Sequence, residues 1–205
     1  MPSSIFSHQA PGILLKIKYP KRIDGTAACL GAFIPDLCLL MRYIFGIDFR
    51  GISHSLLGQV LLTIPLTLIA TILFSRYIGP FCAKIANREG ILSKPLKFIG
   101  MDDWYLLRNK KIDNHFWIVA TYSAFIGGIT HILLDWPSHR KFEVFYPWIV
   151  LSNPEWLLLP LKVLLPLIPL DIPVYRLLWS LETIFLFVIS LYYLRFIKRN
   201  ELLQM

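Results

Sequence analysis

The run Thr130-His131-Ile-Leu-Leu-Asp135-Trp-Pro137-Ser138-His139 sets an imidazole and a carboxylate four residues apart, with a second imidazole four residues further on. On a helix, His131 and Asp135 stack on one face. Both are metal-ligand types, with donor distances of about 2.0–2.2 Å to zinc. Pro137 should end or kink that helix and swing His139 back toward the same place. Gly128 and Ala124, upstream on the same face, are small enough to admit a neighbouring helix closely. On a soluble helix, such a pair is most often a local hydrogen bond at the helix end. Within a membrane span it is a functional hypothesis by default, because an ionisable group near the bilayer centre costs at least ~2.5–3.5 kcal/mol.

Three further polar groups interrupt or border apolar runs: Ser7-His8, Pro35-Asp36, and Arg50-Gly-Ile-Ser53-His54-Ser55. Each alone has a plain reading. Ser53 can cap the helix that follows it, leaving His54 as a surface histidine in the first turn. Together, His8, Asp36, His54, His131, Asp135 and His139 make six N/O donors. That number suits two ions with three protein ligands each, leaving open positions for water and substrate. With no cysteine in the set, Zn²⁺ leads, Mn²⁺ and Fe²⁺ are allowed, and one or two divalent ions can be accommodated. The fifth histidine, His115, lies in a basic stretch and is expected outside this group.

The elements that must position these residues are apolar and long. The 205 residues are 56% hydrophobic and 17% charged, against about 45–50% and about 25% in soluble domains. This excludes a disordered chain and points to an all-α, polytopic membrane protein. Residues 55–74 carry no charge and form the clearest span, with Pro65 inside it; 116–134 and 174–197 are two more. A fourth, 25–45, is interrupted by Pro35-Asp36. The stretch 146–173 holds six prolines and reads as a broken or interfacial helix. About four to five membrane helices are expected, in a single domain over residues 1–205. The net charge of +8 fits basic loops at an anionic lipid surface and no nucleic acid. The basic segment 76–115, with eight Lys/Arg, is expected as a cytoplasmic loop. Lys16, Lys18, Lys21 and Arg22 then require a short helical hairpin between His8 and Asp36, so that both return to one face. Three cysteines without CxxC spacing indicate neither disulfides nor a cysteine-based zinc site.

The order Ser-His, Pro-Asp, His-Ser-Leu-Leu and Thr-His-x-x-x-Asp-x-x-x-His resembles an uncharacterised bacterial membrane family often labelled membrane-bound metal-dependent hydrolases. The ligand pattern is also similar to that of the all-helical zinc-dependent phospholipase C fold, where an N-terminal His, an Asp, a His and an HxxxD helix build a metal cluster. The resemblance covers roughly residues 7–139. It implies metal-binding roles for His8, Asp36, His54, His131 and Asp135, and for His139 less directly. It also implies a bacterial cytoplasmic membrane location. The sequence departs from a related branch of that family: Leu37-Cys38 stands where Asp-His follows Pro-Asp, and Gly51-Ile-Ser53-His54 replaces His-Arg-Gly-x-Thr-His.

The expected function is a metal-dependent hydrolase acting on a lipid or lipid-linked (phospho)ester. His54 and Asp135 carry the chemistry, and Arg50 and Arg140 are candidates to hold the substrate phosphate. Two other classes fit the same residues. One is a non-catalytic membrane protein whose polar cluster, or a degenerate metal site, stabilises helix packing. The other is a small metal or proton transporter, for which Glu182 in mid-span would be the witness.

Overall fold

The computed structural model describes residues 7–46, 50–138, 141–161 and 171–204. His139 and Arg140 lie outside these residues, and the side chain of Arg50 is likewise outside the description.

Helix α1 (Ala10–Lys18) carries Pro11 in its first turn, where a missing N–H breaks no intrahelical bond. Helix α2 (Gly25–Gly31) is capped by Asp24, whose carboxylate accepts from the Ala27 N–H at 3.0 Å. Gly12 lies directly on Ala28. The two helices thus form the short hairpin expected between His8 and Asp36. The apolar run 25–45 is split, because α2 stops at Gly31 and α3 (Ile34–Phe45) restarts with Pro35 in its first turn. The pieces have 7 and 12 residues, so neither reaches the roughly 20 needed to span.

After the single turn α4 (Arg50–Ser53), helix α5 (Leu56–Ala86) runs for 31 residues. It passes straight through Arg76, so the segment expected to be a loop from residue 76 is helical up to Ala86. Two turns of α5 widen into π geometry, Gln59–Thr63 and Phe74–Ile78, and each stands just ahead of a proline, Pro65 and Pro80. A proline offers no N–H, and its ring collides with the carbonyl four residues back. Widening the preceding turn absorbs both defects without ending the helix. The remainder of the basic stretch is also folded, as helix α6 (Ser93–Phe98) and a 3-10 helix, Met101–Asn109, that packs on the end of α5. Polar ties hold it there. The Arg76 Nη1 donates to the Arg108 carbonyl at 2.8 Å, Lys198 Nζ meets Asp102 at 2.8 Å, and Lys110 Nζ meets Asp24 at 2.9 Å.

Helix α7 (Asn114–Asp135) starts at an Asp113 cap, whose carboxylate accepts from Phe116 N–H at 2.8 Å. Strands β1 (Lys141–Phe145) and β2 (Ile149–Ser152) follow, then α8 (Glu155–Leu158) and α9 (Val174–Arg199). The antiparallel pair, in which Phe142 faces Leu151 and Phe145 faces Ile149, corrects the all-helical expectation and the helical reading of the start of the proline-rich stretch. Elsewhere the described fold is helical apart from connecting turns and an isolated antiparallel bridge between Pro160 and Pro173. Helices α5, α7 and α9 are long and apolar enough to cross a membrane.

Helices α2, α5 and α7 meet through small residues. Ala27, Ala28 and Gly31 of α2 face Ala120, Ala124 and Gly127 of α7, all buried, and Gly128 of α7 faces Gln59 of α5. A Cβ added at Gly127 would collide with the Ala28 carbonyl, and one at Gly31 with the Ala124 carbonyl. Such close backbone approach is how helices associate where lipid is as apolar as any side chain. Helix α5 joins this seam with every fourth residue, Gln59, Thr63, Thr67, Thr71 and Ser75, all buried. Helix α9 is far less covered, with Ile184, Phe185, Val188 and Tyr192 exposed. It leans on α1 through Ile197 and Ile13.

Candidate metal centre

Four separate chain segments end at one point. His8 immediately precedes Gln9, the N-cap of α1, Asp36 sits in the first turn of α3, His54 lies in the turn between α4 and α5, and His131 and Asp135 occupy the last turns of α7. The seam of glycines and alanines draws α2 against α7, which brings Asp36, four residues beyond Ala32, to the end of the His131 helix. Residues His8, His54 and Asp135 are only 4–5% exposed and His131 is fully buried, whereas the Asp36 side chain keeps 24% of its surface. The cluster therefore opens at Asp36.

The imidazoles turn their Nε2 atoms inward. His54 Nε2 lies 3.4 Å from His131 Nε2. Asp135 Oδ2 is 3.5 Å from each of these nitrogens, and Asp36 Oδ1 is 3.6 Å from His54 Nε2 and 3.7 Å from His131 Nε2. A tetrahedron with donors about 2.0–2.2 Å from its centre has edges of about 3.3–3.6 Å. The separations of 3.4, 3.5, 3.5 and 3.6 Å fall in that range and the 3.7 Å one lies just above it. All four donors lie within 4.8 Å of one another, and Asp36, His54, His131 and Asp135 could hold a metal ion. The chemistry of the set agrees. Facing lone pairs and two carboxylates, buried together, call for a compensating positive charge.

His8 stands on the other side of Asp135, its Nε2 3.3 Å from Oδ1. The carboxylate thus presents one oxygen to the four-donor group and the other to His8. Burial pulls the His8 pKa below the ordinary histidine value, against the opposing effect of Asp135 and Asp36. Burial also works against a charged His54, but the adjoining Asp135 and Asp36 carboxylates outweigh it and push its pKa up to about 9.

Supporting contacts appear here that the sequence reading did not assign. Ser53 does not cap α5; Ser55 does, its Oγ accepting from Gly58 N–H at 3.0 Å. Ser53 Oγ instead sits 2.8 Å from His54 Nδ1, leaving Nε2 for the centre. Gln59 Nε2 donates to the Ser53 carbonyl at 3.1 Å and so steadies that turn, while its Oε1 occupies the space left by the missing Cβ of Gly128. Asn153 Nδ2 donates to the Trp136 and Pro137 carbonyls, both at 3.1 Å, just beyond Asp135. Only the crowding of serines around His54 signalled any of this. Arg50 opens α4, and its side chain, like His139 and Arg140, falls outside the described residues. The four-donor group does not include Glu182, which lies half-buried on α9. His115 is exposed at the opposite end of α7, 16 residues or about 24 Å from His131 by helical rise.

The chain belongs to the family described as Domain of unknown function (DUF4184), whose profile matches residues 1–204. That membership agrees with an uncharacterised family and carries no hydrolase or phospholipase C designation. No curated protein and no solved structure matches the chain.

Proposed function

We propose that this protein is a membrane-embedded, metal-dependent hydrolase of a lipid or lipid-linked (phospho)ester. The observation that carries the reading is the convergence of Asp36 Oδ1, His54 Nε2, His131 Nε2 and Asp135 Oδ2 at one end of α5 and α7, with five separations of 3.4–3.7 Å and all four within 4.8 Å of one another. Zinc is the preferred ion, because two imidazoles and two carboxylates without sulfur suit it, with manganese or iron next. A divalent ion held there would supply Lewis acidity and lower the pKa of a bound water toward ~7.

The chain's own residues divide the remaining work. Asp36, the least covered of the four, stands at the mouth through which an ester would approach. His54 is oriented by Ser53 and Asp135 by His8. His8 Nε2, against Asp135 Oδ1, is placed to accept and return a proton at that oxygen. Arg50 and Arg140 are assigned to the substrate phosphate, and His139 to a second ion, on the sequence pattern alone. In this reading α5, α7 and α9 cross a bacterial cytoplasmic membrane, and the split pair α2 and α3 supplies a fourth, broken element. The site lies at the face opposite the basic 76–115 segment. Lipid is the partner, and the helical arrangement follows the phospholipase-C-like ligand order.

A second reading is favoured by one specific feature. Four protein donors can close a tetrahedron without leaving a position for water, as structural zinc sites do. Metal analysis and lipid turnover separate the two. Protein purified in detergent should carry about one equivalent of divalent metal, and chelation should abolish phosphoester hydrolysis in mixed micelles, restored by adding the metal back. Metal without turnover, combined with a large fall in thermal stability on chelation, would establish the structural role instead. Absence of metal, with no uptake on reconstitution, would remove both.

A further inference from the structure

A second polar concentration lies at the end of α5 remote from the acid–histidine cluster and shares no residue with it. Arg76, Tyr77, Ile78, Phe81 and Arg108 line an open cleft of about 470 Å³. Arg76 is 20 residues beyond Leu56, the first residue of α5. At 1.5 Å per residue this is about 30 Å, the thickness of a bilayer's hydrocarbon core. With the cluster end of α5 at one boundary of the core, Arg76 emerges at the other, where headgroup phosphates begin. Tyr77 and Phe81, 69% and 62% exposed, stand at the depth where aromatic rings collect in membrane proteins.

The guanidinium groups have donors to spare. Arg76 spends Nη1 on the Arg108 carbonyl at 2.8 Å and Nη2 on the Lys110 carbonyl at 3.4 Å, out of five N–H donors. These bonds aim its head at the 3-10 helix that carries Arg108. The guanidinium of Arg108 has no hydrogen-bond or ion-pair partner among the described residues. Charge favours the same occupant. Residues 76–115 hold eight Lys/Arg against four acids, Glu89, Asp102, Asp103 and Asp113. None of those acids lines the cleft. Paired guanidinium forks match phosphate oxygens in geometry as well as charge, and Ile78 and Phe81 continue the cleft with apolar surface.

We propose that this cleft binds the phosphate headgroup of an anionic membrane phospholipid, with the acyl chains laid along the Ile78 and Phe81 side of α5. The test titrates the full-length, detergent-solubilised protein with phosphatidylglycerol or phosphatidylcholine and counts retained lipid by native mass spectrometry. Phosphatidylglycerol should bind roughly tenfold more tightly, and Arg76→Gln/Arg108→Gln should reduce it to the phosphatidylcholine level. Arg108→Gln alone should weaken it measurably. Because the Arg108 side chain is exposed and makes no hydrogen bond or ion pair among the described residues, that variant should fold and keep the test readable. Lys94→Gln/Lys97→Gln removes the same charge outside the cleft and should leave the preference intact. Inorganic phosphate should not displace the lipid beyond a chloride control of equal ionic strength. An equal loss in the lysine pair, no preference between the lipids, unchanged binding in both arginine variants, or full displacement by phosphate would each overturn the proposal.

Discussion

Replacing Gly127 by alanine tests whether close helix contact assembles the metal centre. A Cβ there would overlap the Ala28 carbonyl oxygen and lie 2.9 Å from its carbon and 3.0 Å from the Ala32 nitrogen. Ordinary carbon contacts begin at about 3.5 Å, and the obstructing atoms are backbone, so α2 and α7 must part by at least about 0.6 Å. Helix α7 carries His131 and Asp135, and α2 leads within four residues of Ala32 to Asp36. Metal–donor distances tolerate only about 0.2 Å. The substitution should therefore destabilise the fold by about 1–3 kcal/mol and weaken metal binding by at least about tenfold. The assay is competition against a chromophoric chelator on monodisperse protein, beside thermal unfolding in the same detergent. Gly90→Ala, where an added Cβ meets nothing within 4 Å, is the control and should change neither. Wild-type metal affinity and unfolding temperature in Gly127→Ala would refute the reasoning, because the seam would then not set the donor distances.

Other outcomes follow from single contacts. His131→Ala and Asp135→Ala should each lose the bound metal by elemental analysis while circular dichroism shows the helices retained, since the small-residue seam and not the ligand pair holds α7. Ser53→Ala frees His54 Nδ1 from its 2.8 Å contact and should weaken metal binding about tenfold with little change in unfolding. Thr67 is fully buried, and its hydroxyl has no hydrogen-bond partner among the described residues. Thr67→Val should alter stability by less than about 1 kcal/mol, whereas Thr67→Leu, which overfills the seam, should cost about 1–3 kcal/mol in detergent unfolding.

The membrane-type helices were legible because burial in lipid is a property of composition and length. An uncharged run such as 55–74 has one stable form in hydrocarbon. His131 and Asp135 were legible as a pair because a helix fixes what lies four residues apart. Where α5 ends was not legible. Arg76 looked like a terminus, but a π turn before Pro80 and packing from the Met101–Asn109 segment carry the helix ten residues further. The hairpin at 141–152 was hidden for a related reason, since strand pairing is a contact between two segments and neither carries it alone. The partners of the HxxxD pair, His8, Asp36 and His54, could be named from the sequence, but their distances belong to the tertiary structure. Ser53 could cap a helix or hold a histidine with equal local chemistry, and only the placement of Ser55 and Gln59 chose between them. Asp36 reaches His131 because Gly31 and Gly127 let the α2 and α7 backbones touch, and His54 because Gly128 leaves room for Gln59 of α5. A glycine's empty space acquires meaning only when a second helix fills it.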